Sequence, residues 1–257
     1  MDDNYVSGSG LFARQGGKYR QRKIILENFP PTSAYDTYVE PFLGGGSIAM
    51  EAPKVKTMIA GDSDPVVIST FKDFKKAGHL IKNMDFRINR DTFDYLKDSN
   101  PTTPAKRLYK ELYLSFNSFA GNKQLFNSTK VVSMPNSNGQ RIKSNIDKYQ
   151  QQLEPYTILK KDYSFLIKKY DSPTTFFYLD PPYYDTDTKV YATGNIDHEK
   201  LAKMLRTISG YFMLSHSDIP YIRNLYDGFR FIKYKSSQLN FAKGARTKVP
   251  ELLIMNY

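Results

Sequence analysis

An aspartate followed by two prolines and a tyrosine, Asp180-Pro181-Pro182-Tyr183, closes the apolar run Thr175-Phe176-Phe177-Tyr178-Leu179. The run reads as a buried strand, so the carboxyl group stands at a strand's carboxyl end, where ligand crevices open in doubly wound α/β sheets. Two successive prolines forbid both helix and ladder pairing, and they hold backbone carbonyls rigidly beside Asp180. With the Tyr183 ring, these acceptors suit a flat group that carries an amine, and a nucleobase amino group meets that description. A plain surface turn is the alternative, since Asp and Pro are frequent turn residues.

Two upstream segments favour chemistry. Tyr38-Val39-Glu40-Pro41-Phe42-Leu43-Gly44-Gly45-Gly46-Ser47 is a short apolar strand running into three glycines, which let backbone approach a ligand closely. Met58-Ile59-Ala60-Gly61-Asp62-Ser63-Asp64-Pro65 is a second strand ending in acid, about 20 residues further on, a spacing that suits a carboxylate gripping ribose hydroxyls.

With these residues the chain resembles DNA adenine methyltransferases of the Dam type, the D12 or alpha class, over nearly its whole length. Gln15-Gly16-Gly17-Lys18 is similar to that family's amino-terminal Gly-Gly-Lys motif, Glu40 to Gly46 to its S-adenosylmethionine loop, and Asp62 to its ribose-binding acid. Lys161-Asp162-Tyr163 resembles the motif that holds the cofactor adenine, Asp180 to Tyr183 the catalytic motif, and Arg246 to Tyr257 the closing Arg-x-Lys-x-x-Glu-Leu-Leu strand. All six agree in order and spacing. Arg14 stands where the family carries an aromatic residue, and Asp62-Ser63-Asp64 replaces its Asp-x-Asn, which leaves Asp64 as a cap for the next helix.

The resemblance implies S-adenosyl-L-methionine as cofactor, contacted by Arg14, Gln15, Gly16, Lys18, Glu40, Pro41, Phe42, Gly44, Gly45, Gly46, Ser47, Asp62, Ser63, Asp162, Tyr163 and Asp180. It implies direct methyl transfer to the N6 amine of a flipped-out adenine in double-stranded DNA, with Asp180, Pro181, Pro182 and Tyr183 catalytic. Asp180 and the Pro181 carbonyl would accept the amine's hydrogens, and Tyr183 would stack on the base. Rival readings are a cytosine-N4 or RNA amino methyltransferase and a catalytically silent DNA-binding relative.

Strands are expected at 37–42, 56–61, 156–160, 175–180, 211–215, 229–235 and 251–257, and helices at 65–76, 105–116, 198–208 and from Pro220. Their alternation predicts an α/β fold: a Rossmann-like, mostly parallel seven-stranded sheet whose last two strands form an antiparallel pair. Roughly 90 residues separate the second and third strands, far beyond an ordinary connection, which predicts an inserted, mainly helical target-recognition subdomain. The expected division is 71–150 for recognition, with 1–70 and 151–257 catalytic.

The net charge of +11 calls for an anionic partner. Residues 101–150 hold eight Lys or Arg against Glu111 and Asp147, and 11–30 hold five against Glu27, so nearly all the excess lies in two segments. Tyr109, Tyr113, Phe116, Phe119 and Phe126 interleave with these charges, which favours phosphate attraction plus base stacking over a merely solvated face. Asn117, Ser118, Phe119, Asn122, Lys123 and Gln124 form a polar, flexible segment where the family inserts a DNA-reading loop. Asn136 lies in a second loop, and Arg246 completes the expected DNA contacts. A Lys or Gln reader would depart from the GATC specificity of Dam.

The chain holds no Cys, and His79, His198 and His216 lack ligand-like spacing, so disulfides and a metal site are not expected and the histidines read as ordinary surface or packing residues. No apolar run suits a bilayer, and no leader is evident, so an intracellular, cytoplasmic protein of bacterial, phage or viral origin is expected. A monomer is expected; whether it acts alone or beside a separate restriction endonuclease is left open by the sequence.

Overall fold

The computed structural model describes residues 10–12, 16–118, 121–128, 137–184, 196–240 and 245–257. They form two compact units. One gathers residues 20–43, 53–64 and 156–257, and the other the described parts of 1–19, 44–52 and 65–155.

The first unit carries the sheet. Its strands are β1 (Thr37–Glu40), β2 (Thr57–Asp62), β3 (Tyr156–Lys160), β4 (Thr175–Leu179), β5 (Tyr211–Ser217), β6 (Arg230–Asn240) and β7 (Ala245–Met255). Their order is β3-β2-β1-β4-β5-β7-β6. β3, β2, β1, β4 and β5 run parallel, whereas β7 lies antiparallel between β5 and β6. The predicted α/β class and mostly parallel seven-stranded sheet are therefore found. Strand order reverses between β1 and β4, the switch point at which such sheets bind ligands.

The pleat's period of two sorts the side chains, and the register carries that sorting from strand to strand. Val39, Ile59, Phe177, Leu179, Phe212, Leu214, Leu252 and Ile254 form an apolar core cluster with Leu166, Leu201 and Ile222. These last three lie on helices α6 (Tyr163–Tyr170), α7 (His198–Leu205) and α8 (Pro220–Leu225). The opposite set is aromatic. Tyr38, Phe176 and Tyr178 pack around Phe29, which follows helix α1 (Arg22–Glu27), with ring centroids 4.7 to 5.9 Å apart.

Three boundary differences have a plain physical cause. β6 and β7 run into polar residues, because an antiparallel ladder of eleven pairs stabilises segments that show no apolar alternation. β1 stops at Glu40, since Pro41 cannot continue a ladder. Helix α7 is capped by Asp197, which accepts from the Lys200 amide at 2.8 Å as expected, but it ends at Leu205 rather than running on toward Gly210.

The second unit is helical: α2 (Pro65–Ala77), a 3-10 turn (Gly78–Asn83), α3 (Arg90–Asp98), α4 (Pro104–Asn117) and α5 (Ser137–Leu153). α2 and α4 are joined by a two-pronged pair, Arg107 to Asp73 at 2.7 and 2.9 Å. Buried Leu108, Leu112, Tyr113 and Phe116 give α4 its core face. The Tyr113 hydroxyl donates to the Arg87 carbonyl at 2.8 Å and ties α4 to the start of α3.

Candidate active site

In the sheet unit three carboxyl groups end three adjacent strands. Glu40 closes β1, Asp62 closes β2 and Asp180 follows β4. Register pairs Glu40 with Ala60, two residues before Asp62, and Tyr38 with Phe176, so alternation turns all three toward one face of the sheet. Glu40 is 2% exposed and accepts from the Tyr38 hydroxyl at 2.8 Å. Burial pushes its pKa up to about 8; the Tyr38 hydrogen bond opposes this, while the charges of Asp180 and Asp62 add to it. This end of the sheet therefore concentrates negative potential around a buried acid, an arrangement suited to a cationic, hydroxyl-bearing ligand.

The tetrapeptide occupies the end of β4, with Pro181 buried and Tyr183 half-buried. The Tyr183 ring lies flat against His216, centroids 4.6 Å apart and planes 17° apart, and its hydroxyl donates to Glu251 Oε2 at 3.1 Å. Burial first, and then the charge of Asp180, hold the Tyr183 hydroxyl well above the usual tyrosine pKa, so it remains a donor. Tyr178 on β4 is bonded to Ser215 on β5 at 2.8 Å.

Asp162 and Tyr163 begin α6. One Asp162 oxygen, Oδ1, accepts from the Ser164 and Phe165 amides at 2.7 and 3.0 Å and from the Ser164 hydroxyl at 2.6 Å. It is thus a helix cap with the charge suited to a helix amino terminus. The Tyr163 ring stacks on Phe42, centroids 5.4 Å apart and planes 24° apart, giving a half-buried aromatic pair beyond β1. Ser63 is exposed, and Asp62 Oδ1 accepts from the Asp64 amide at 2.9 Å.

The other unit holds the amino-terminal, glycine-loop and DNA-loop candidates. Gly16 has φ +81°, and Lys18 Nζ donates to its carbonyl at 2.9 Å. Gly44 and Gly46 also adopt positive φ, +50° and +70°. A Cβ on Gly46 would stand 2.5 Å from the Phe71 ring, and one on Gly45 2.7 Å from the Phe12 carbonyl, so the protein's own packing demands these two glycines. At Gly44, by contrast, a Cβ would meet open space. Ser47 is buried, and its hydroxyl has no hydrogen-bond partner among the described residues.

The expected DNA-reading segment divides. Asn117 and Ser118 are buried and close the loop from inside: the Asn117 carbonyl accepts from the Asn127 amide at 2.9 Å, and the Ser118 hydroxyl from the Lys123 amide at 2.9 Å. Packing thus takes up groups that the sequence presents as merely polar. Lys123 sits at φ +60°, its ammonium paired with Glu111. Asn122 Oδ1 accepts from the Gln124 and Leu125 amides at 2.9 and 3.0 Å, so its side chain shapes the turn. Exposed at that turn are Asn122, Gln124 and Leu125, the last 63% exposed and passed over in sequence because leucine reads as core. Arg14, Gln15, Phe119 and Asn136 lie outside the described residues, and Arg246 is described only through its backbone on β7.

Sequence reading also set His198 and His216 aside as isolated. The fold places them edge to face, ring centroids 5.1 Å apart, with His216 against Tyr183, a meeting that their spacing in the sequence does not announce. Among the described residues no group of three or more His, Cys, Asp or Glu is placed to hold a metal ion, and no helix is long and apolar enough to cross a membrane.

The chain is similar to type II methyltransferases. The chain is 23% identical over 260 residues to the type II methyltransferase M.CviBI of Paramecium bursaria Chlorella virus NC1A, covering 94% of this chain and 97% of the relative. It is 23% identical over 274 residues to the type II methyltransferase M1.LlaDCHI of Lactococcus lactis subsp. cremoris, covering 96% and 95%. Among solved structures, a precorrin-6y C5,15-methyltransferase from Geobacter metallireducens GS-15 aligns with TM-score 0.42 at 10% identity, over all of this chain and 94% of the other. The family model for D12 class N6 adenine-specific DNA methyltransferases spans residues 15–238, so the acids and the tetrapeptide at the sheet's carboxyl edge belong to a DNA adenine methyltransferase of that class.

Proposed function

We propose that the acidic edge of the sheet binds S-adenosyl-L-methionine and that Asp180, Pro181 and Tyr183 hold the target adenine of double-stranded DNA for methylation at N6. The observation that carries this reading is the grouping of Glu40, Asp62 and Asp180 on one sheet face at the switch point, with Asp180 opening the rigid Pro-Pro-Tyr segment. The donor set fits the cofactor: carboxyl groups for its positive charges and ribose hydroxyls, and the Phe42–Tyr163 aromatic pair for its adenine. Gly16, Lys18, Gly44 and Ser47 join the cofactor set through the family motifs, and Asp162 supports Tyr163 by capping its helix.

When bound, the cofactor supplies an electrophilic methyl group on a sulfonium. The exocyclic amine of adenine is a poor nucleophile because its lone pair is delocalised into the ring. The Asp180 carboxyl and the Pro181 carbonyl accept its two hydrogens, which localises the lone pair toward the methyl. Both bonds strengthen as positive charge develops on nitrogen, and that difference between ground and transition states accelerates the step. Asp180 or water then takes the proton. Tyr183 stacks on the base, offsetting part of the cost of removing it from the duplex. On the recognition side Gln124 suits a base edge and Leu125 an apolar wedge at an opened step. A monomer, with a separate restriction endonuclease as a candidate partner, completes the proposal.

The test is transfer of labelled methyl groups to unmethylated genomic DNA, followed by nucleoside analysis and motif mapping, with Asp180→Ala alongside. N6-methyladenine in one short motif, lost in the variant, is expected. Label in cytosine, or none in DNA, overturns the reading.

A further inference from the structure

Glu251 on β7 is a buried acid that the reaction above does not use. It is 3% exposed and stands in register with Ser217 on β5 and Tyr234 on β6. A carboxyl so placed needs donors, and three hydroxyls supply them. Tyr234 donates to Oε2 at 2.6 Å, Tyr183 to the same oxygen at 3.1 Å, and Ser236 to Oε1. Two of these belong to the adjacent strand; the third belongs to the tetrapeptide.

The opposite side of the same ring is fixed by His216, which is fully buried. Its Nε2 accepts from the Tyr184 amide at 3.2 Å. A backbone N–H only donates, so Nε2 is the bare nitrogen and Nδ1 carries the proton toward Ser217 Oγ at 3.0 Å. The stacked imidazole thus covers one face of Tyr183 and holds the peptide that follows it, while Glu251 holds the far end of the ring. Tyr183 nevertheless keeps part of its surface accessible.

We propose that Glu251 is a positioning residue: by fixing the Tyr183 hydroxyl it sets the plane of that ring against His216 and so presents its accessible side as a rigid stacking platform for the target base. The inference rests on the methyl-transfer reading above. It assigns to the antiparallel end of the sheet a part in base capture, separate from cofactor binding.

The test compares the full chain with Glu251→Leu, which removes the acceptor, Tyr183→Phe and the double variant, using labelled S-adenosylmethionine and unmethylated genomic DNA. Cofactor binding and the melting temperature are measured on each. Each single change is expected to lower kcat by about tenfold while cofactor affinity stays within about twofold, and the double variant to be no slower than the slower single, because Glu251 acts on the ring only through that hydroxyl. Multiplying losses, or wild-type kcat in Glu251→Leu with only a lowered melting temperature, would make Glu251 a purely structural residue and overturn the proposal. Should Glu251→Leu fail to fold, Tyr183→Phe decides alone, and wild-type kcat there sinks the idea. A wild-type chain that transfers no label to DNA removes the underlying reading and this proposal together.

Discussion

Glu40 keeps its proton to about pH 8 because it is buried, so near neutrality it is largely uncharged until a cation arrives. Its pKa in the fold lies above the ordinary 4.5, so the folded chain binds more protons than the unfolded one between those values. Stability from this group is full below about 4.5 and is lost as pH rises through about 8. Urea unfolding of the ligand-free wild type is expected to weaken from pH 5 to 8, and Glu40→Gln to flatten that decline. A cationic ligand favours the ionised form, so cofactor affinity should rise with pH over the same interval in the wild type and stay level in Glu40→Gln, as read by calorimetry. Asp180 also serves the chemical step. Asp180→Ala is expected to cut the rate of methyl transfer by roughly 10²- to 10³-fold, which single-turnover kinetics at saturating cofactor would measure. The sequence made Asp180, Glu40 and Asp62 legible because each ends an apolar run. It hid His216 and Glu251, whose meaning depends on strands that pair only in the fold.

Among the elements, parallel strands were easiest to read: β3 matches its expected residues 156–160, and β4 differs by one. β4 is a continuous, fully buried run between turn signals, the pattern of a strand covered on two faces, whereas β3 at the sheet's edge alternates buried and exposed residues. β6 and β7 were underread because Ser236 to Asn240 and Ala245 to Lys248 owe their extended form to mutual pairing, which single-strand patterning does not record. Two substitutions test local devices. Gly46→Ala places a methyl against the buried Phe71 ring at φ +70° and is expected to destabilise by more than about 1 kcal/mol in urea unfolding. Asp162→Ala removes the α6 cap and should cost about 1 kcal/mol, with Asp162→Asn costing less. The loop at 121–128 was legible as polar, yet which of its groups the fold consumes was not.

At the scale of the whole molecule, the charge of +11 makes salt the natural probe of DNA binding. A binding constant set by phosphate contacts falls linearly on a log–log plot with salt, with slope about −0.9 for each contact. A steep negative slope is expected for duplex DNA and a shallow one for the cofactor, measured by fluorescence anisotropy and calorimetry. Equal slopes would contradict a phosphate-driven interface.

The position of β7 also constrains the order in which the chain is completed during synthesis. Residues 245–255 leave the ribosome after β6 but must enter between β6 and β5. Until they do, an eleven-residue strand has no ladder partner in the sheet, and Tyr183 lacks Glu251. A chain released after truncation at residue 240 therefore leaves β6 without β7, an unpaired edge of the kind that recruits other chains, and leaves Tyr183 without Glu251.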